Sequence, residues 1–300
     1  MINTKQIFSQ SRVTMATLGV SLAEFRRLLP VFSICLVDYR IKITPHRKRR
    51  VGGGKKGDLP TAEDKLLYIL LYLKLYPTYD AMSVLTNHCR SKCGDSVKFL
   101  LLVLEMTLGR KLVLPKRCGH TLEEIFRQHP EIKDIFMDGT ERRVQKPKNL
   151  KKRNKLYSGK KKATTRKTVI LSDERKYIHY MSKTKSGRRH DKRIADKENL
   201  ITGLPRDIAL WTDTGFQGAK KQHDKTVMPV KATKNNPLTQ NQKENNRLIS
   251  SFRVVSEHAI GGFKRFRAAA DIYRNKLPNF DDLMTEVSIG LWNFHLQQAA

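Results

Sequence analysis

The sequence predicts an α/β domain preceded by an all-helical segment, in a chain that binds a polyanion. Three observations support this prediction. Leucines recur at helical spacing within residues 61–108, short apolar runs typical of strands begin at Asp134, and basic residues greatly outnumber acidic ones. The sequence predicts three parts. Residues 1–57 form a helical segment with a basic glycine-rich linker, and residues 58–130 form a helix-turn-helix DNA-binding domain. Residues 131–300 form the α/β domain.

The charge balance indicates the kind of partner. The 300 residues contain 59 lysines and arginines against 28 aspartates and glutamates, a formal net charge of +31 at pH 7. Such an excess favours a polyanion, with nucleic acid ahead of an anionic membrane. The longest apolar stretches, Leu66–Leu73 and Phe99–Leu104, are far shorter than the roughly 20 residues that span a bilayer. We therefore expect a cytoplasmic protein without a signal peptide and without membrane association.

Residues 1–57 are predicted to combine a short helix with a basic linker. The helix covers Ser21–Leu29 and is predicted to end at Pro30, because proline interrupts the helical hydrogen-bond pattern. The linker, residues 40–57, contains the run Arg47–Arg50 and three consecutive glycines. This composition is typical of a flexible, solvated joint, which can still follow a phosphate backbone.

The block that follows has the outline of a helix-turn-helix. Thr61 and Asp64 form a capping box at the start of a leucine-rich helix. Two more helices are predicted, at Tyr79–Leu85 and from about Asp95 to Leu108. Any small helical bundle shares this outline, so the pattern alone leaves DNA reading open.

The predicted turn before the third helix, residues 87–93, contains two kinds of candidate. Arg90 and Lys92 are candidate DNA contacts, because they lie where a reading helix would begin. Cysteines and histidines in and after this turn also raise the possibility of a zinc site: His88, Cys89, Cys93, Cys118 and His120. Their spacing is irregular for structural zinc, so we interpret the cysteines as small core residues.

From Asp134 onwards the pattern changes to short strands separated by helices. A capping box at Thr121 is predicted to begin a helix that Pro130 ends, just before the first strand. The predicted strands are Asp134–Asp138, Thr168–Leu171, Tyr177–Met181, Asp207–Trp211 and Thr226–Val230. The predicted helices are His190–Ile201, Gln240–Phe266 and Asp281–Gln297.

A strongly basic segment follows the first predicted strand. Residues 142–167 contain thirteen lysines and arginines and no acidic residue. Charge of this density disfavours burial, so we expect a disordered segment or a solvated hairpin that contacts a polyanion. The candidate DNA contacts within it are Lys151, Lys152, Arg153 and Lys155, and Tyr157 is placed to stack on a base.

Three acidic residues stand out in this basic chain. Asp138 ends the first predicted strand, and Asp213 comes just after the fourth. Residues beyond strand ends line the functional crevice of α/β sheets, so two such carboxylates can lie side by side and bind magnesium. Glu257 shares one helical face with Arg253 and Lys264, either as an exposed salt-bridged stripe or as a metal ligand between two phosphate-binding cations.

Taken together, these residues resemble the catalytic blocks of DDE transposases of bacterial insertion sequences, in the insertion sequence 5 group. The resemblance covers roughly residues 45–297. The similar blocks are Phe136–Glu141, Ser186–Arg193, Trp211–Gly218 and Val255–Arg267. The related signature Tyr-x2-Arg-x3-Glu-x6-Lys is met at Arg253, Glu257 and Lys264, but Ser250 stands in place of its tyrosine.

The resemblance implies an RNase H-like catalytic domain, a central mixed sheet flanked by helices. It implies that Asp138, Asp213 and Glu257 are catalytic and hold two Mg²⁺ or Mn²⁺ ions, and that Arg253 and Lys264 grip phosphate. The implied activity is cleavage at terminal inverted repeats and strand transfer into double-stranded target DNA. The implied setting is a homodimer in a synaptic complex, at the bacterial nucleoid.

Two other interpretations stay open from the sequence. One is a transposase-derived DNA-binding protein that has lost catalysis, and the other is an unrelated basic RNA-binding protein. All three acidic residues are present, which favours an active enzyme over the first alternative. The second alternative, an RNA-binding protein, does not explain the ordered acidic blocks.

Overall fold

The computed structural model describes residues 4–46, 57–117, 122–233 and 236–299. Contacts within the chain divide it into two units. The first contains Met1–Leu114, Phe263–Asp271 and Leu283–Ala300, and the second contains Pro115–Gly262 and Ile272–Asp282. Several predicted features lie outside the described residues: linker residues 47–56, the N-cap Thr121, and the zinc candidates Cys118 and His120. The three-part division at residues 57 and 130 stays a prediction.

The described residues form helices throughout the chain and strands between Asp134 and Val227. The helices are α1 (Thr4–Phe8), α2 (Ser11–Leu18), α3 (Leu22–Ile43), α4 (Ala62–Leu75), α5 (Tyr79–Thr86), α6 (Arg90–Arg110), α7 (Leu122–Gln128), α8 (Leu150–Leu156), α9 (Asp191–Lys197), α10 (Gln240–Lys264), α11 (Arg267–Ala270) and α12 (Phe280–Ala299). The strands are β1 (Asp134–Arg143), β2 (Tyr157–Ser158), β3 (Ala163–Ser172), β4 (Ile178–Met181), β5 (Lys185–Ser186), β6 (Ala209–Thr212) and β7 (Thr226–Val227). The mixed α/β fold that the sequence predicts is confirmed.

Helix α3 continues through Pro30, so the predicted end at that residue is wrong. The helix begins with a reciprocal capping box between Ser21 and Glu24 and runs for 22 residues. A proline inside a helix costs roughly 3 kcal/mol through a lost hydrogen bond and a steric clash. Burial of apolar side chains on both sides of it, including Phe25 and Phe32, offsets that cost.

Helices α4 and α5 follow the sequence prediction closely, whereas α6 begins five residues earlier than predicted. Thr61 and Asp64 form the predicted capping box of α4. Cys93 in the first turn of α6 is buried, as expected of a small core residue. Cys89, the N-cap of this helix, is exposed, so the same expectation is wrong for it. Gly94 allows α6 to approach α5, since a Cβ there would lie 3.3 Å from the ring of Tyr79.

The second unit is built on a mixed sheet in which the strand order is β2-β3-β1-β6-β7. Strand β3 pairs antiparallel with β1, and β4 and β5 also pair with β3. Strand β6 runs parallel to β1, and β7 runs parallel to β6. Buried side chains from the sheet, from α9 and from the 3₁₀ turn Thr214–Phe216 form one apolar cluster, which includes Ile135, Met137, Val169, Leu171, Ile194, Leu210 and Phe216.

Strand β1 is twice as long as predicted, so Asp138 lies within the strand and not at its end. Its pairing with β3 extends to Arg143, which lies opposite Thr165. The pairing with β6, in contrast, stops where Met137 lies opposite Thr212. Asp138 is therefore the first residue of β1 beyond the β6 ladder, although the strand itself continues.

The basic segment is ordered, with part of its charge buried. It comprises the end of β1, helix α8, strand β2 and the first half of β3. Arg142 and Lys167 are buried, and the Arg142 guanidinium stacks on the ring of Tyr273 at 4.9 Å. The expectation that a segment this charged stays out of the core is wrong at these two positions, because aromatic and acidic partners surround them.

An ion pair with two supporting hydrogen bonds ties the start of α12 to the sheet. Arg117 Nη2 lies 2.8 Å from Asp282 Oδ1, which also accepts hydrogen bonds from the backbone N–H and the hydroxyl of Thr184 at 2.9 and 2.7 Å. Burial alone would raise the pKa of Asp282. The Arg117 charge and the Thr184 hydrogen bonds outweigh burial and hold this pKa below its ordinary value.

We expect Asp282→Asn to lower the free energy of unfolding by about 1–3 kcal/mol at pH 7, because charge-assisted hydrogen bonds are lost. A carboxyl whose pKa is lower in the folded than in the unfolded protein stabilises the fold at pH values above its unfolded pKa of about 3.9. This stabilisation is lost as pH falls through the folded pKa. The difference between the two proteins should therefore shrink in acid. Urea denaturation at pH 7 and about pH 3 measures this difference in the free energy of unfolding. The control is Asp224→Asn, which changes an exposed residue. An equal difference at both pH values would contradict a lowered pKa of Asp282.

Candidate active site

Asp138 and Asp213 lie at adjacent positions because β1 and β6 are parallel neighbours. Met137 pairs with Thr212, and each of them is followed directly by one of the two aspartates. Asp213 is also the N-cap of a short 3₁₀ turn, Thr214–Phe216, in which its Oδ1 accepts a hydrogen bond from Gly215 N at 2.8 Å. Asp138 Oδ1 accepts one from Gly139 N at 2.7 Å. Backbone donors thus orient both carboxylates.

The surroundings of Asp138 disfavour its negative charge. Its side chain is 16% exposed, and burial is the main cause that raises its pKa to about 6. The neighbouring charge of Asp213 adds to this effect, and Arg253 and the Gly139 hydrogen bond oppose it. A carboxylate pair with incomplete compensation favours a bound cation.

Helix α10 contributes Arg253 and Ser256 to this site. Arg253 Nη2 lies 3.9 Å from Asp138 Oδ2, and Ser256 Oγ lies 3.4 Å from the same oxygen. Glu257 follows Ser256 and is exposed, although it lies four residues after Arg253 and so on nearly the same face of the helix. Lys264 is the last residue of the helix and is half-buried.

The predicted acidic residues are therefore brought together in part. Asp138 and Asp213 directly follow paired residues of neighbouring strands, whereas Glu257 is an exposed residue of α10. Within the described ranges, no group of three or more His, Cys, Asp or Glu side chains is arranged to hold a metal ion. The oxygen-only donors of Asp138 and Asp213 nevertheless suit a hard divalent cation, which typically takes one or two carboxylates together with phosphate oxygens. Glu257 as a third ligand stays a prediction.

The sequence reasoning missed three residues beside this pair. Lys167 Nζ lies 3.2 Å from Asp191 Oδ1 and 3.2 Å from Glu141 Oε1, and its side chain is only 7% exposed. Burial raises the pKa of Asp191, and Lys167 opposes this shift. Burial also acts to raise the pKa of Glu141, but hydrogen bonds and Lys167 outweigh it and lower this pKa. Asp191 and Glu141 both belong to sequence blocks that resemble the family, and this membership was the signal that could have identified them.

The candidate DNA contacts occupy two helices. Lys151, Lys152 and Lys155 are exposed and Arg153 is half-buried on α8, which has no buried residue. This segment is helical and was not predicted as a helix. Arg90 and Lys92 lie in the first turn of α6 and not in a turn before it, since Cys89 caps that helix. Both are exposed, near Asp80 and Asp58 respectively.

No helix of the described residues is both long enough and apolar enough to cross a membrane.

Comparison with known proteins identifies the family. Residues 137–293 match the family described as DDE superfamily endonuclease. The chain is 29% identical over 281 residues to the "Probable transposase for insertion sequence element IS702" of Microchaete diplosiphon. The aligned region covers 93% of this chain and 92% of that protein. It is 36% identical over 81 residues to the "Transposase for insertion sequence element IS1106" of Neisseria meningitidis serogroup B. That aligned region covers 25% of this chain and 28% of that protein.

No solved structure matches the chain. The family match covers just over half of the chain and includes Asp138, Asp213 and Glu257. The chain therefore belongs to the DDE superfamily endonuclease family.

Proposed function

We propose that this chain is a transposase that cuts DNA at the terminal inverted repeats of an insertion sequence and joins the ends to target DNA. The observation that carries this proposal is the adjacent placement of Asp138 and Asp213 at the β1–β6 boundary. Similarity to the IS702 protein over nearly the full length of both chains supports it. Membership of the insertion sequence 5 group stays a prediction.

The proposed architecture assigns catalysis and DNA reading to different parts of the chain. A mixed sheet with helices around it supports an RNase H-like catalytic domain in the second unit. Helices α4, α5 and α6 are proposed to form a helix-turn-helix that reads the terminal repeat, with Arg90 and Lys92 at the start of its third helix. The position of these two cations in the first helical turn supports that role, since the N-terminal residues of a reading helix contact base edges.

In the proposed mechanism Asp138, Asp213 and Glu257 would hold two Mg²⁺ or Mn²⁺ ions. Such ions would supply Lewis-acid activation of the attacking oxygen and stabilisation of the leaving oxygen in phosphoryl transfer. Asp138 and Asp213 supply hard oxygen ligands from a rigid sheet. Arg253, at 3.9 Å from Asp138, balances their charge and presents a guanidinium to phosphate. Lys264 is also proposed to bind phosphate.

The proposed partner is double-stranded DNA, both at the element ends and at the target. The exposed cations of α8 follow β1 in the chain, so they are proposed to contact phosphates close to the catalytic residues. Two element ends have to be held together for transposition, and we propose a homodimer in a synaptic complex. Its proposed location is the bacterial cytoplasm, in association with the nucleoid.

One observation favours a second candidate function, a transposase-derived DNA-binding protein without catalysis. Glu257 is exposed, and no group of three acidic side chains is arranged to hold a metal ion within the described residues. If Glu257 does not reach the pair when DNA binds, the chain retains basic DNA contacts and lacks a complete set of acidic ligands. Cleavage by the intact chain would decide against this candidate.

Asp138→Asn and Asp213→Asn should each abolish cleavage of duplexes that carry the DNA flanking the reading frame. Each removes a proposed metal ligand, while binding should be unchanged or tighter because a negative charge facing phosphate is lost. A nicking assay with and without Mg²⁺, paired with a binding titration, measures both. The matched control is the exposed Asp224→Asn. If either variant cleaves at the rate of the intact chain, the assigned role of that aspartate is refuted. If the intact chain cleaves neither with nor without Mg²⁺, the result favours the second candidate.

Neutralising four cations of α8, Lys151, Lys152, Arg153 and Lys155, should flatten the salt dependence of DNA binding. The slope of log affinity against log salt should fall by up to about 0.9 per lost phosphate contact. Preference for element ends over random duplex should change little, because phosphate contacts carry no sequence information.

The control for this experiment removes the same charge elsewhere. It neutralises four exposed cations of the second unit: Lys197, Arg206, Lys220 and Lys221. A general effect of net charge would appear equally in both variants. Equal slopes for the two quadruple variants would therefore contradict a DNA-contacting role for α8.

A further inference from the structure

We propose that the exposed ring of Phe252 binds an unpaired base of the DNA strand next to the catalytic aspartates. This inference rests on the proposed function, because it names a DNA contact of the same site. Phe252 lies on α10 directly before Arg253, and it is 56% exposed although its side chain is large and apolar.

Phe252 is the last of three aromatic side chains that lie against one another. The rings of Phe136 and Trp211 are stacked with centroids 5.9 Å apart, and the centroids of Trp211 and Phe252 are 5.2 Å apart. Phe136 is buried, Trp211 is half-buried and Phe252 is exposed, so the series runs from the interior to the surface. Trp211 Nε1 donates a hydrogen bond of 2.6 Å to Asp134 Oδ1, which fixes the orientation of the middle ring. The series therefore ends in an exposed ring that a fixed indole supports.

Strand and helix geometry place the aromatic series beside the proposed catalytic pair. Phe136 pairs with Trp211 in the β1–β6 ladder and comes two residues before Asp138. Side chains two residues apart on a strand share one face of the sheet, so Phe136 and Asp138 lie on the same face. On α10, Ser256 comes about one helical turn after Phe252, and Ser256 Oγ lies 3.4 Å from Asp138 Oδ2. Both elements thus bring the aromatic series close to Asp138.

The chemistry around Phe252 suits a nucleobase. Proteins that bind single strands combine aromatic rings, on which bases stack, with cations that follow the phosphates. In the sequence of residues 248–256, Arg253 is the one charged residue, and it lies 3.9 Å from Asp138 where the proposed function places a phosphate.

The pairing state of the base follows from the geometry of the duplex. A base inside a duplex is covered on both faces by its neighbours, so an enzyme that contacts the face of a base has to take that base out of the stack or bind a single strand. The occupant of the Phe252 ring is therefore an unpaired base, next to the phosphate that Arg253 holds.

Binding of single-stranded DNA to the full-length chain tests this inference, with an oligothymidylate and an abasic oligonucleotide of equal length as probes. Phe252→Ala should raise the Kd of the oligothymidylate about tenfold, because base–aromatic stacking is lost, and leave the Kd of the abasic probe unchanged. Phe252→Trp should restore the Kd of the unsubstituted chain. The control is Leu248→Ala, which truncates an exposed aliphatic residue one turn earlier on α10 and should change neither Kd.

Two results of this titration would overturn the inference. One is an oligothymidylate Kd for Phe252→Ala that equals the Kd of the Leu248→Ala control. The other is an equal rise in Kd for the abasic probe, because that probe has phosphates but no bases.

A second measurement needs no variant and so stays informative if Phe252→Ala does not fold. A duplex with an unpaired end that contains 5-iodouracil is irradiated with the unsubstituted chain, and cross-linked peptides are identified by mass spectrometry. We expect a cross-link at Phe252. Cross-links confined to other residues, or none, would overturn the inference. Cleavage by the intact chain without this cross-link would leave the proposed function standing, whereas a Phe252 cross-link without Mg²⁺-dependent cleavage would support the DNA contact and count against catalysis.

A second copy of this chain is the alternative occupant of the exposed ring. Sedimentation of the DNA-free chain separates the two occupants. We expect Phe252→Ala and the unsubstituted chain to sediment alike. A smaller species for Phe252→Ala, together with an unchanged oligothymidylate Kd, would assign the ring to a contact between copies and overturn the inference.

Discussion

The parallel pairing of β1 with β6 is the constraint on which the proposed chemistry depends. It ends at Met137 and Thr212, each of which is followed directly by an aspartate, so the two aspartates lie at adjacent positions and the charge of Asp213 acts on Asp138. Because Asp138 is largely buried and Asp213 is close, the pKa of Asp138 rises to about 6. Such a pair is unfavourable without a counter-ion, and binding of a divalent cation would remove part of that penalty.

The rest of the second unit positions positive charge around this pair. Arg253 reaches Asp138 from α10, and Lys167 is held inside the sheet between two acidic side chains. The exposed cations of α8 lie beyond the same strand. A DNA strand carries one negative charge per phosphate, so an acidic centre that processes it needs basic surroundings to offset the repulsion. The net charge of +31 is consistent with that requirement.

Much of this arrangement could be predicted from the sequence, and the failures have physical causes. Aspartates that follow apolar strands indicated the Asp138–Asp213 pair, and the capping box at Thr61 located the start of α4. Asp191 and Lys167 were missed because their contacts join β1, β3 and α9, and no local pattern reports such distant pairings. The end predicted at Pro30 was wrong because tertiary burial of α3 outweighed a local helix-breaking signal.

The central claim is that Asp138 and Asp213 share a divalent cation, and the most direct test is a crystal of the full-length chain soaked in Mn²⁺. Anomalous scattering at the manganese edge locates the ion independently of any activity. The account predicts a peak between the Asp138 and Asp213 carboxylates, and its loss in crystals of Asp213→Asn. Manganese bound only elsewhere, or no peak at a concentration that supports DNA cleavage, would contradict it.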